Sequence, residues 1–185
     1  FKQRFAQVTN PPIDPLREKL VMSLEMHLGE RCSPFESNDI KPFIHLKSPI
    51  INEQELISLK ESEIKSKTIS SLFNIEEGIK GFEAKLDDIC KLSEKAIKEG
   101  CSLIIISDKG VSSKQSFIPP LLAVGAIHHY LLKKEIRLKA SLIIETGQCW
   151  STHHLACLIG YGVSAVCPWL TLESGRHWLQ HPKTQ

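Results

Sequence analysis

The chain has 185 residues, a formal net charge of +2 and an apolar fraction of 42%. This length suffices for one domain with a hydrophobic core. The near-neutral charge, without a basic stripe of interleaved aromatic residues, argues against nucleic acid as a partner. No apolar run approaches the ~20 residues of a membrane helix, and no signal peptide precedes the first predicted element. Because the chain starts at Phe1, we expect it to be part of a longer polypeptide.

Near its start the chain combines three prolines with a preceding Thr9-Asn10 step, in the string VTNPPIDP. Proline fixes φ, lacks an N–H group and disfavours helical geometry in the residue before it. Asn10 and Pro11 are each followed by a proline and are therefore expected to be extended. The residues alone leave two interpretations: a rigid segment with free carbonyls, or simply the lead into the next helix.

A helix is predicted after these prolines. Asp14 suits its N-cap, Pro15 its first position and Gly29 the residue beyond its end. Four leucines recur along it at four-residue intervals: Leu16, Leu20, Leu24 and Leu28.

The next stretch predicts a short strand in PFIHLKSPII and a short helix in EQELISLK. Asn52 and Glu55 have the spacing of a capping box at the start of that helix. Residues 61–71 are polar, and we interpret them as a solvated loop leading into a strand in KTISSLFN, in preference to a charge-recognition segment.

The second half alternates strands with helices. Its predicted strands are the apolar runs CSLIIISD, KASLIIE and VSAVCPW, of the kind that is buried on both faces. The predicted helices lie in IEEGIKGFEAKLDDICKLSEKAIKEG, IPPLLAVGAIHHYLLKKE and STHHLACLIGYG, and LESGRHWLQ starts another. This alternation predicts an α/β fold with parallel βαβ units, to which the first half adds one or two strands.

Polar residues follow the ends of these strands, where α/β proteins gather ligands. The ends carry Asp108, Glu145 and Cys167, in SDKG after the first strand and ETGQ after the second. One interpretation is a ligand site. The other, which we favour, is capping and loop chemistry at the helix starts.

Cysteine and histidine residues cluster in CWSTHHLAC. Cys149, His153, His154 and Cys157 include pairs four residues apart, a spacing that suits a metal on a helix, yet the chain has no CxxC pair. Packing is the favoured interpretation. Apolar surroundings predict buried, reduced thiols for the six cysteines, which are Cys32, Cys90, Cys101, Cys149, Cys157 and Cys167.

Two adjacent histidines lie in another predicted helix. His128 falls on the apolar stripe, so a hydrogen-bonded core or interface histidine is favoured over a catalytic base for it and for its neighbour His129. The Gly160–Gly162 stretch closes a helix and does not follow a strand, so it is no phosphate loop. The residues alone therefore define no complete active site.

Several long strings resemble one family throughout: FAQVTNPPIDPLREKLVMSLEMHLG, ISDKGV, IPPLLAVGAIHHYLL and SLIIETGQCWSTHHLACLIGYGVSAVCPWL. Together they are similar to the central domain of glutamate synthase, with the weakest similarity between residues 40 and 71. The resemblance implies one domain over residues 1–185, an incomplete β/α-barrel-like domain that lacks its first part. It also implies that the fragment alone is inactive.

In this family the whole enzyme is an oxidoreductase with an N-terminal glutaminase, this central domain and an FMN-binding barrel with a 3Fe-4S cluster. Ammonia released from glutamine passes through an internal tunnel to the flavin site, where 2-oxoglutarate becomes glutamate. The resemblance therefore implies no catalytic, cofactor-binding or metal-ligating residue in this chain. It implies instead that the glutaminase and FMN domains of the same polypeptide are its partners.

The same resemblance gives the proline-rich segment a role. The Thr-Asn step of VTNPP lines the mouth of the ammonia tunnel in this family, which implies that role for Thr9 and Asn10. A narrow lining held by prolines suits the passage of ammonia without loss to water.

Composition bears on the electron donor. Abundant Lys and Ile relative to Arg, with the closing string LTLESGRHWLQHPKTQ, favours the ferredoxin-dependent type of plastid stroma or cyanobacterial cytoplasm. The bacterial type with an NADPH-dependent small subunit is the alternative. The alternative function is an independent flavin- or phosphate-binding β/α-barrel enzyme that uses Asp108 and Glu145.

Overall fold

The computed structural model describes residues 21–32 and 41–180 of the chain. The strands are β1 (Met26–Gly29), β2 (Phe43–Leu46), β3 (Ser66–Ser70), β4 (Leu72–Asn74), β5 (Leu103–Ser107), β6 (Gln115–Phe117), β7 (Ser141–Glu145) and β8 (Ala165–Cys167). The helices are α1 (Glu53–Lys60), α2 (Gly78–Lys98), α3 (Pro120–Lys133), α4 (Thr152–Gly160) and α5 (Trp169–Leu179). Across these described ranges, no helix is both long and apolar enough to cross a membrane.

The central sheet has four parallel strands in the order β3-β5-β7-β8. Helices α2, α3 and α4 connect successive strands, so the predicted α/β class with parallel βαβ units is confirmed. Spatial order follows chain order, which is the arrangement of an incomplete β/α barrel. A further parallel bridge joins Ile50 to Val166, so the segment before α1 lies beside β8.

Both faces of the sheet are buried, as the continuous apolar runs predict. Ile104, Ile106 and Leu142 face α2, α3 and α4 in one core. Leu103 and Ile105 point the other way into a second core with α1 and β1. Fully burying each of these side chains contributes about 1.5–3 kcal/mol, so these two cores hold the strand ends in place.

The predicted helix that ends at Gly29 is wrong from Met22 onward, because residues 22–25 are not helical and a strand follows them. Met26–Gly29 is strand β1, which pairs antiparallel with β2, and the side chain of its Leu28 is buried. Gly29 has a φ of +139°, and a Cβ there would stand 2.9 Å from the carbonyl oxygen of Pro42. The glycine therefore serves a close hairpin contact and not a helix cap. The predicted helix start at Asp14 lies outside the described residues.

The predictions around α1 hold. The Asn52 side chain accepts from the Glu55 amide at 2.9 Å, and the Glu55 carboxylate accepts from the Asn52 amide at 2.7 Å. This confirms the capping box. The strand predicted in KTISSLFN is interrupted at buried Ser71, whose amide and hydroxyl both donate to the Ser107 carbonyl. As a result β3 joins the parallel sheet, whereas β4 pairs with β6.

Candidate functional site

The polar residues at the carboxyl ends of β5 and β7 lie together, as predicted. Asp108 is only 5% exposed, and its two oxygens accept hydrogen bonds from three donors. The Thr146 hydroxyl donates at 2.6 Å, the Gly147 amide at 3.0 Å to both oxygens, and the Trp169 indole Nε1–H at 3.0 Å. Asp108 thus ties the loop after β7 to the first residue of α5.

Glu145 forms the second carboxylate of this edge. It is 6% exposed, and its Oε2 accepts from the Ser107 hydroxyl at 2.6 Å. Its other oxygen lies 4.0 Å from the ammonium group of Lys109. The Lys109 ammonium also stands 5.6 Å from the centroid of the Trp169 ring, a cation–π distance.

Helix α5 is tied to this edge at two further points. The Thr171 hydroxyl donates to the Cys149 carbonyl at 2.5 Å. Arg176 forms an ion pair with Glu53 of α1 at 2.6 Å, and this hydrogen bond lowers the pKa of Glu53. Arg176 is exposed and Glu53 is half-buried, so solvent screening keeps the contribution of this ion pair to stability small.

The polar side chains at this edge are engaged by contacts within the chain and not left open for a ligand. Asp108, Glu145 and Thr146 contact donors and acceptors of the chain itself, and the space between Ser71 and Thr146 is too small for a water molecule. These contacts are loop chemistry, as the sequence favoured, but neither carboxylate caps one of the described helices. Trp169 completes the group, and sequence reasoning missed it because the predicted helix began three residues later, at Leu172.

The cysteines and histidines of CWSTHHLAC do not converge on one point in the structure. His154 accepts from the Trp150 amide at 3.2 Å, and Cys157 lies 3.5 Å from His153. Cys149 is buried, and burial raises its pKa to about 11. Within residues 21–32 and 41–180, no three His, Cys, Asp or Glu side chains are placed to hold a metal ion.

No disulfide joins the six cysteines, all of which fall within the described part of the chain. Four of them are buried, as expected: Cys90, Cys101, Cys149 and Cys167. The expectation is wrong for Cys32, which is exposed, and only partly right for Cys157, which is half-buried. Cys32 lies just beyond the β1 hairpin strand, where the sequence predicted the end of a packed helix.

The predicted structural role of His128 is confirmed. His128 is half-buried on α3, and its Nδ1 accepts from Arg137 Nε at 3.0 Å. Arg137 also donates to the carbonyls of Ala140 at 2.8 Å and Gly162 at 2.6 Å. Burial, followed by the Arg137 charge, lowers the pKa of His128. Arg137 carries no sequence signal because its partners lie on three different elements. The neighbouring His129 is exposed, and its ring makes an edge contact with that of His128.

The residues implied for the ammonia tunnel, Thr9 and Asn10, lie outside the described residues. What the described residues define is an α/β domain built from parallel βαβ units, whose polar carboxyl edge is held by its own side chains.

Comparison with known proteins assigns this domain to a family. The model of the glutamate synthase central domain matches residues 1–185, so the chain belongs to that family. It is 50% identical over its whole length to the ferredoxin-dependent glutamate synthase of Pyropia yezoensis and to ferredoxin-dependent glutamate synthase 2 of Synechocystis. Identity to the chloroplastic ferredoxin-dependent enzyme of Oryza sativa is 46%. The chain spans 12% of the length of each of these relatives.

Proposed function

We propose that this chain is the central, non-flavin domain of a ferredoxin-dependent glutamate synthase. In this role it links the glutaminase and FMN domains and contributes to the ammonia tunnel for glutamate formation from glutamine and 2-oxoglutarate. The observation that carries the proposal is that the entire chain matches one stretch of enzymes named as ferredoxin-dependent. The same names favour ferredoxin over an NADPH-dependent small subunit as the donor.

The geometry of the described residues supports a scaffold role. Asp108 and Glu145 are committed to contacts within the chain, and Trp169 lies against the edge where a β/α enzyme would bind its ligand. The alternative of an independent flavin- or phosphate-binding enzyme therefore gains no support from these contacts. The described cysteines do not fit an iron–sulfur cluster either, so we place FMN and the 3Fe-4S cluster in another part of the whole enzyme.

An apolar surface supports the linking role. Ile79, 77% exposed, and Ile75, 48% exposed, border a shallow cavity of about 350 Å³ at the start of α2. Its wall is formed by Phe73 and Phe82, whose rings pack edge to face at 5.5 Å. Exposed apolar patches of this kind mark contact sites. Because the relatives are about eight times longer than this chain, we assign the patch to contact with an adjoining domain of the same polypeptide.

The tunnel role rests on the string around Thr9 and Asn10. Neutral ammonia must reach the flavin site without protonation or escape to water, so its path has to be narrow and fixed. The prolines that follow restrict the backbone and remove N–H donors. Plastid stroma, or cyanobacterial cytoplasm, is the proposed location, since the relatives include chloroplastic and cyanobacterial enzymes.

The test is a pair of substitutions in the whole enzyme. Thr9→Leu adds bulk to the proposed lining, whereas Thr9→Ser keeps the hydroxyl and serves as the control. In Thr9→Leu we expect glutamine hydrolysis to persist, glutamate formation from glutamine to fall, and glutamate formation from added ammonia to change less. Equal loss of both glutamate-forming activities in Thr9→Leu would contradict the tunnel role and indicate a folding defect.

A further inference from the structure

A second cavity lies at the opposite, amino end of the parallel strands. It has a volume of about 280 Å³, which corresponds to the liquid volume of roughly nine water molecules. Its lining is mostly apolar and comes from β1, α3, the segment before β7, α4 and the turn before β8. The apolar lining residues are Met26, Leu132, Leu138, Ala140, Ile159 and Val163.

Two guanidinium groups line this cavity together. Arg137 is half-buried, and three of its N–H groups already bind His128 and two carbonyls, which fixes its position. Arg31 is exposed, and its amide donates to the Leu138 carbonyl at 2.8 Å. The cavity is therefore lined by one arginine that is anchored and one that is exposed.

The positive charge of this pair is not balanced by the described residues. In the part of the chain that the structure describes, no carboxylate lies within 4.0 Å of the Arg31 or Arg137 guanidinium. His128 adds no negative charge, because its Nδ1 accepts from Arg137 and the ring is neutral. Burial and the charge of Arg31 both lower the pKa of Arg137, as expected for a cation without a counter-ion. A partly buried cation is costly unless an anion pairs with it.

We propose that this cavity binds a small organic carboxylate with a short aliphatic stem. The carboxylate pairs with Arg31 and with the unused N–H groups of Arg137, and the stem lies against the apolar wall. Guanidinium groups match the planar geometry of a carboxylate, and the cavity holds an acid of about six heavy atoms. This inference does not depend on the proposed function, because the cavity lies at the strand end opposite Asp108 and Glu145.

The test uses the full-length polypeptide and three probes in hydrogen exchange followed by mass spectrometry. Butyrate carries both charge and stem, butyramide carries the stem alone, and phosphate carries charge alone. We expect millimolar butyrate to slow exchange in peptides that cover residues 137–141 and 159–164, with a saturable dose response. Butyramide and phosphate should have little effect.

Two variants link the effect to the cavity. Arg31→Gln removes the charge of the exposed arginine without disturbing a buried contact, and it should weaken the butyrate effect about tenfold, as expected for one charge-assisted hydrogen bond. Arg176→Gln, at an exposed arginine on α5, is the matched control and should leave the effect unchanged.

Four results would overturn the proposal. Equal protection by butyramide would mean that the cavity recognises apolar groups only, and equal protection by phosphate would mean that it recognises charge only. Peptides already protected without a probe and unchanged by butyrate would show that the polypeptide itself fills the site. An undiminished butyrate effect in Arg31→Gln would exclude the assigned pairing.

Discussion

The contacts of Asp108 allow a quantitative prediction for Asp108→Asn. The substitution keeps the side-chain shape but places an NH₂ group opposite one of the donors, Thr146 or Trp169. The indole N–H cannot accept, so the amide has to turn its NH₂ group toward the Thr146 hydroxyl. One charge-assisted hydrogen bond is lost, and the others are weakened because the acceptor is no longer charged. A hydrogen bond to a charged group contributes about 1.5–3 kcal/mol. We expect local destabilisation of about 3 kcal/mol.

Hydrogen exchange in the full-length polypeptide measures this change where it arises. The Gly147 amide donates to Asp108 and reports the opening of the edge. A loss of about 3 kcal/mol corresponds to exchange faster by on the order of a hundredfold. Trp169→Phe keeps an aromatic ring but removes one donor, at about 1.5–2 kcal/mol, so its smaller effect should be about tenfold to thirtyfold.

A matched carboxylate provides the control. Asp88 lies exposed on α2 and pairs with Lys85 at 3.2 Å, so Asp88→Asn should change exchange at Gly147 by less than about 0.5 kcal/mol. The double variant Asp108→Asn with Trp169→Phe should show an effect smaller than the sum of the two, because Asp108→Asn already weakens the Trp169 hydrogen bond that Trp169→Phe removes. Additive effects, or an unchanged rate at Gly147 in Asp108→Asn, would refute the assignment of Asp108 as the tie between β7 and α5.

Three further predictions concern a close contact at a glycine, the labelling of the thiols and the stability at high pH. Gly162 has a φ of +108°, and a Cβ there would stand 2.4 Å from His128 Nδ1. Gly162→Ala should therefore lower the local stability, measured by hydrogen exchange, by about 2–4 kcal/mol. Gly175 has open space around it, so the control Gly175→Ala should cost no stability. A similar loss at both glycines would contradict this account. At pH 8, iodoacetamide should label exposed Cys32 before the buried thiols, and only denaturant should equalise the rates. Burial raises three thiol pKa values to about 11, 11 and 12, in Cys90, Cys149 and Cys167. The contribution of these protonated, buried thiols to the free energy of unfolding is therefore fully present below the unfolded pKa of 9.0. It is lost as the pH rises to about 11–12, and unfolding measured across that range would detect the loss.

Local signals predicted most of the second half of the fold. Strands β5, β7 and β8 are continuous apolar runs, and α1 carries its start signal in Asn52 and Glu55, so each can be recognised within a few residues. Strand β1 could not be recognised in this way. Its pairing with β2 depends on residues 14–20 positions away, and the spacing of Leu24 and Leu28 also fits a helix.

The same difference between local signals and distant contacts decides which residues of the candidate sites could be predicted. Asp108 and Glu145 were found because parallel strands bring their carboxyl ends to one edge, a rule that needs only the order of elements. Trp169 and Arg137 were missed because the sequence gives no indication of which distant groups they reach. Trp169 reaches across 61 residues to Asp108, and Arg137 reaches Gly162 across 25.

The two ends of the sheet therefore differ in their electrostatic balance. At the carboxyl end, donors of the chain satisfy Asp108 and Glu145, and the indole N–H of Trp169 is one of the donors to Asp108. At the amino end, a fixed guanidinium borders a cavity with no described carboxylate beside it. Because the amino end offers both a cavity and arginine charge that no described carboxylate pairs with, it is the end of the sheet at which we expect a small anion to bind, opposite the edge that βαβ proteins ordinarily use.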